Sequence, residues 1–152
     1  MATKINPVNF SVDEAYAYLI LKTHRLLRWD FQRRAARANL DLTQEQFVML
    51  NKLAHNDGCT QGELVSTTFN DRANVSRIVA GLERKGYVAR LHDADDGRAL
   101  RVFITREGLR VMSEIGKRVP ATRKRVYRGL TKADFDALKR ICEQIETNVL
   151  EE

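Results

Sequence analysis

The sequence predicts a mainly α fold with a small β-hairpin, an α+β chain of many helices and few strands. Three observations predict it. A hydroxyl residue recurs three positions ahead of an acid or amide, as Ser11 before Glu14, Thr43 before Gln46 and Thr60 before Glu63. This reciprocal pattern satisfies the orphan amides of a first helical turn. Between these starts, apolar residues return at helical spacings of three and four. Only residues 87–104 alternate apolar and polar side chains, in two short runs about the turn sequence "DADDG".

The first helix is expected over about Val12–Arg37, with Ala15, Tyr16, Leu19, Ile20, Leu26, Leu27 and Phe31 apolar. The second runs from Gln44 to about His55 and buries Phe47, Leu50 and Leu53. Leu42 and Phe47 hold the positions of a hydrophobic staple around its cap, and "NDG" ends it with Gly58 in a left-handed turn. The third, Gln61 to about Thr68, is brief and buries Leu64 and Val65. In the fourth, Val75, Ile78, Val79 and Leu82 make one stripe; Asn70 or Asp71 caps it and Gly86 ends it. Two strands follow. Val88, Arg90 and His92 alternate with Tyr87, Ala89 and Leu91, then Leu100, Val102 and Ile104 with Arg101 and Phe103. Thr105 caps a fifth helix through Leu109, Met112, Ile115 and Val119, kinked or broken by Pro120. Thr131, three residues before Asp134, opens the last helix at Lys132. Its Phe135, Leu138, Cys142, Ile145 and Val149 form a seam regular enough to pack on another helix, here one of a second subunit.

Composition narrows the function. The 152 residues hold 26 Lys and Arg against 20 Asp and Glu, a net charge of +6, which suits a polyanionic partner. The stretch 22–37 carries Lys22, Arg25, Arg28, Arg33, Arg34 and Arg37 against Asp30 alone; a solvated helix face and a phosphate-facing one fit it equally. Cys59 and Cys142 lie far apart without metal-ligand spacing, as structural free thiols of a reducing compartment. His24, His55 and His92 are scattered, so no metal and no cofactor is expected. The amino terminus lacks an apolar core behind its lysine and no run approaches membrane-spanning length, so the expected setting is cytoplasmic, away from membranes. No Gly-rich phosphate loop or nucleophile with an adjacent base is visible, and the chain is not expected to be an enzyme.

Helix, helix, helix, hairpin is the order of a winged helix-turn-helix. Opposite its apolar stripe the fourth helix carries Arg72, Ala73, Asn74, Ser76, Arg77, Ala80, Gly81 and Arg84. Ala73, Ala80 and Gly81 are expected to keep that face low for a close approach to a groove. Asn74, Ser76 and Arg77 are suited to base edges or phosphates. In the hairpin, Arg98 follows Gly97 at the turn, with Arg90 and Arg101 on the flanking strands. An arginine projected this way suits the negative potential of a narrow minor groove. Asp96 is expected to hold Arg98 or another arginine in place.

From about Leu42 to Gly108 the chain resembles the MarR family of bacterial transcriptional regulators. The pieces are "LTQEQFVMLNKLA", "TQGELV", "DRANVSRIVAGLERKGYV" and "DDGRALRVFITREG", in the family's order and spacing. The resemblance implies that Asn74, Ser76 and Arg77 lie in the major groove or on its phosphates. It implies that Arg98 is the minor-groove residue of the wing, and that Thr60 and Gln61 lie near the DNA backbone. Gly97 stands where many members carry a second arginine. The resemblance also implies a pocket for a small-molecule effector, often an aromatic anion, to which His24, Arg28 and Trp29 are assigned. The expected organisation is one domain over 1–152, with a DNA-binding lobe at 42–108 and dimerisation helices at 11–38 and 106–152. The expected function is a homodimeric, ligand-responsive repressor of double-stranded DNA at a pseudo-palindromic operator. A dimeric small-molecule or protein-interaction module without DNA binding is the alternative.

Overall fold

The computed structural model describes residues 15–68, 71–93 and 100–151. The elements are α1 (Tyr16–Arg37), α2 (Gln44–His55), β1 (Cys59–Thr60), α3 (Gln61–Thr68), α4 (Arg72–Arg84), β2 (Val88–His92), β3 (Leu100–Ile104), α5 (Arg106–Gly116), α6 (Val119–Val126) and α7 (Lys132–Leu150). They fall into two compact units, one ending at Met112 and the other beginning at Ser113, so the boundary lies within α5.

In the first unit the capping chemistry of the sequence is realised. The Gln46 amide donates to Thr43 Oγ1 and the Thr43 amide to Gln46 Oε1, both at 3.1 Å, opening α2. At α3 the Thr60 amide donates to Glu63 Oε2 at 2.7 Å and the Glu63 amide to Thr60 Oγ1 at 3.2 Å. Asp71 caps α4, accepting from the Asn74 amide at 2.7 Å. Gly86, at φ 71°, ends that helix in the left-handed region. Ser11, Glu14 and Asn70 lie outside the described residues.

The core sits where α2, α3 and α4 meet the sheet. Met49, Leu50 and Leu53 of α2, Leu64 of α3, the α4 stripe, Val88 and Val102 are all buried. Each fully buried aliphatic side chain of this kind contributes about 1.5–3 kcal/mol. Helix α1 joins this core through its later half, where Phe31 and Ala35 are buried and the Phe31 ring lies 5.3 Å from that of Phe47. Tyr16, Leu19, Ile20 and Leu26 in its earlier half are exposed.

Two expectations change. The hairpin β2–β3 pairs from Val88↔Ile104 to His92↔Leu100 as read, but β1 adds a third antiparallel strand, in the order β1-β3-β2. A two-residue strand has no period to detect. The fifth helix is broken, one of the two outcomes expected at Pro120, but it already stops at Gly116, short of Val119. A further helix, α6, begins at Val119 with Pro120 in its first turn. In a first turn the missing proline amide costs nothing, so proline starts this helix more readily than it kinks one. The described residues therefore hold seven helices and one three-stranded sheet.

In the second unit Thr131 and Asp134 close the capping box of α7, with the Thr131 amide 2.7 Å from Asp134 Oδ2. The Tyr127 and Phe135 rings meet edge-on at 5.2 Å. Along α7 the seam is open: Leu138 is 56% and Val149 68% exposed.

Candidate nucleic-acid interface

The outward face of α4 follows from its burial pattern. With Val75, Ile78, Val79 and Leu82 committed to the core, Arg72, Ala73, Arg77 and Arg84 are exposed and Ser76 is half-buried. Asn74 is half-buried, and its Oδ1 accepts a hydrogen bond from Arg77 at 2.6 Å. Gly81 departs from expectation. It is buried, and a Cβ built there would lie 2.8 Å from Gln46 Nε2, so this glycine serves the approach of α4 to α2 rather than the outer face.

Thr60 and Gln61 stand at the start of α3. Thr60 has two tasks, since it caps that helix and pairs across the sheet with Arg101. Hydrogen bonds from the Thr60 amide and hydroxyl hold the Glu63 carboxyl below its ordinary range. Arg101 is tied down within the wing base, donating to the Asp93 carboxylate and, at 2.8 Å, to the Gly58 carbonyl. Arg90 Nε lies 3.3 Å from Glu83 Oε2, an ion pair without hydrogen-bond geometry. Among the described residues, acids therefore pair with Arg101 at Asp93 and with Arg90 at Glu83. Asp96, Gly97 and Arg98 lie outside the described residues.

The residues assigned to an effector are not brought together. His24 lines a cleft of about 320 Å3 with Gln44, Glu45, Met49, Thr68 and Asn74. Gln44 has a buried side-chain oxygen without a hydrogen-bond partner among the described residues. Arg28 lines a second cleft of about 170 Å3 with Glu45, Arg77, Gly81 and Arg84, and pairs with Glu45 at 3.2 Å. Trp29 lines neither; it is exposed, with the Arg33 guanidinium 4.5 Å from its ring centre. Arg34 meets Asp30 at 2.8 Å, so part of the basic stretch of α1 is engaged within the first unit.

Cys59 is buried in β1, where its thiol donates to the Asn56 carbonyl at 2.9 Å and burial raises its pKa. Among the described residues no group of three or more His, Cys, Asp or Glu side chains is placed to hold a metal. No helix among them is long and apolar enough to cross a membrane.

A capped helix held outward by two others, with a three-stranded antiparallel sheet beside it, defines a winged helix-turn-helix lobe. The MarR family model matches residues 40–99. Transcriptional regulator HosA of Escherichia coli O127:H6 is 33% identical over 95 residues, which cover 60% of this chain and 70% of that one. The chain belongs to the MarR family of transcriptional regulators. Two solved structures share the fold. One is Bordetella bronchiseptica BpsR, from work on the regulation of its DNA binding by 6-hydroxynicotinic acid. It has a TM-score of 0.80 and 22% identity, over 91% of this chain and 98% of that one. The other is a MepR–DNA complex from S. aureus, with a TM-score of 0.77 and 20% identity, over 91% and 99%.

Proposed function

We propose that the protein is a homodimeric, sequence-specific DNA-binding repressor of the cytoplasm, which releases a pseudo-palindromic operator when a small molecule binds. The observation that carries this reading is α4, whose apolar stripe is buried while Arg72, Ala73 and Arg77 stay exposed beside the wing strands. The MepR–DNA complex and the ligand-regulated BpsR support it from related folds. Residues 42–108 form the DNA-binding lobe, and the helices at 11–38 and 106–152 serve dimerisation within one functional domain.

Asn74, Ser76 and Arg77 take base edges or phosphates in the major groove, with Arg72 and Ala73 beside them. Thr60 and Gln61 lie along the backbone and Arg98 enters the minor groove. Arg101 joins the DNA-binding residues from β3, where it also donates to Asp93 and the Gly58 carbonyl. The effector is a small anion, aromatic in character, drawn by His24 or Arg28 in their neighbouring clefts. A hydroxyl on it would partner the buried oxygen of Gln44. Trp29, exposed on the same helix, offers a face on which an aromatic effector can stack.

Footprinting on the DNA beside the protein's own gene tests the reading. We expect two half-sites about one helical turn, roughly 10 base pairs, apart. Affinity should fall steeply with salt as counterions leave the neutralised phosphates. A single asymmetric half-site with little salt dependence would count against it.

A further inference from the structure

We propose that Gln46, Gly81 and Lys85 form a lock that sets the angle of α4 on α2, and through it the DNA sequence the protein prefers. The inference rests on α4 being the DNA-facing helix. Gln46, 8% exposed, is the one buried polar side chain among the described residues of the core. Its Oε1 accepts from the Thr43 amide at 3.1 Å and from Lys85 Nζ at 3.0 Å. Lys85 also donates to the Asp41 carbonyl at 3.0 Å and to Asp41 Oδ1 at 2.9 Å. One ammonium at the C-terminal cap of α4 thus grips the segment that opens α2.

Gly81 lies one turn earlier, with no room for a methyl: its Cβ would stand 2.8 Å from Gln46 Nε2. The terminus of a glutamine ordinarily swings aside, but this one leaves only by releasing Thr43 and Lys85. A mid-helix glycine is a poor helix former, a defect without return unless close approach is required. The lock also has leverage. At 1.5 Å rise per residue, Arg72 lies about 13 Å along the axis from Gly81, so a tilt of about 5° there moves it by roughly 1 Å. A displacement of that size spoils the geometry of a base-edge hydrogen bond.

The test compares Gly81→Ala, Lys85→Met and the double variant Gly81→Ala/Gln46→Ala, with circular dichroism confirming the fold of each. Residual dipolar couplings on the free protein measure the α2–α4 angle, and selection from randomised duplexes reads the preferred site. Gly81→Ala is expected to change the angle by several degrees, alter the preferred bases and weaken the wild-type site about tenfold, as for one lost base contact. Lys85→Met, which adds no crowding, should move angle and preference in a weaker form. Gln46→Ala in the Gly81→Ala background makes room for the methyl and should restore both, an outcome helix propensity alone does not predict. An unchanged angle in both single variants, a changed angle with unaltered preference, or a double variant as impaired as Gly81→Ala overturns the proposal. A wild-type chain that binds no duplex at low salt overturns the DNA reading itself, a result seen before any variant is made.

Discussion

Gly108 sits in the first turn of α5, where a side chain has nowhere to go. A Cβ there would lie 2.3 Å from the Tyr87 carbonyl oxygen and 2.8 Å from Ile104 Cγ1. That carbonyl is fixed, because it accepts the Thr105 amide at 3.0 Å, while Thr105 Oγ1 donates to the Gly86 carbonyl at 2.6 Å. Gly108→Ala must therefore push backbone against backbone and strain the strap joining the end of α4 to the start of α5. Overpacking costs about 1–3 kcal/mol, and the upper end applies where no side chain can rotate away. A weakened strap hydrogen bond adds about 1 kcal/mol. Alanine's better helix propensity returns up to about 1 kcal/mol. The net expectation is a loss of about 3 kcal/mol, which lowers Tm by roughly 6–12 °C in a chain of this size. Gly116 ends the same helix with nothing within 4 Å of a Cβ, so Gly116→Ala should be neutral or slightly stabilising. Urea unfolding at one fixed protein concentration measures both, which holds any contribution from subunit association equal between the variants. Equal stability of Gly108→Ala and wild type, or shifts of the same sign in the two variants, would refute the close approach.

Asn74→Ala should lose discrimination at one or two base pairs, at about 1–3 kcal/mol, whereas Arg98→Ala should flatten the salt slope and relax preference for A·T-rich flanks. Selections on randomised sites decide this; a changed core consensus with Arg98→Ala but not with Asn74→Ala would reverse the roles. Ile145→Asp places a charge on the open seam of α7 and should turn a dimer into monomers in sedimentation, and a wild-type monomer at micromolar concentration would sink the seam's role. Hydrogen bonds from Thr60 and Thr131 lower the Glu63 and Asp134 pKa values, so these caps contribute stability above the unfolded-state values. That stability is lost as pH falls through the lowered folded-state values, so α3 and α7 should fray on the acid side of ordinary carboxylate titration, and Glu63→Gln should blunt the pH response of α3 amide exchange. Cys59, buried and shifted upward, should react with a thiol reagent more slowly than the half-buried Cys142; the reverse order would contradict its packing.

Local chemistry made most of the fold legible. Thr43, Thr60 and Thr131 announced their helices because a cap is settled within four residues, and α4 was plain because its stripe keeps a single period. What escaped depends on residues distant in sequence. Cys59–Thr60 becomes a strand only because Val102 and Arg101 arrive opposite it. Gly81 was assigned to the wrong side of α4 because helical spacing alone does not show how closely α2 approaches. The hold of Asp93 and Gly58 on Arg101 is likewise invisible in the sequence, since Gly58 lies 43 residues away. Helical spacing puts His24 and Arg28 four residues apart on one helix but does not show that each lines a different cleft.

The two residues of β1 bear on how this protein can be re-engineered. Thr60 is at once the cap of α3 and the sheet partner of Arg101, so the wing and the helix-turn-helix share a residue instead of meeting at a linker. A chimera that grafts α3 and α4 from a relative while keeping this wing inherits a mismatched seam at Cys59–Thr60. Grafting the wing alone cuts the same seam from the other side. A cassette that leaves this seam whole must carry Cys59–Thr60 together with Val102 and Arg101.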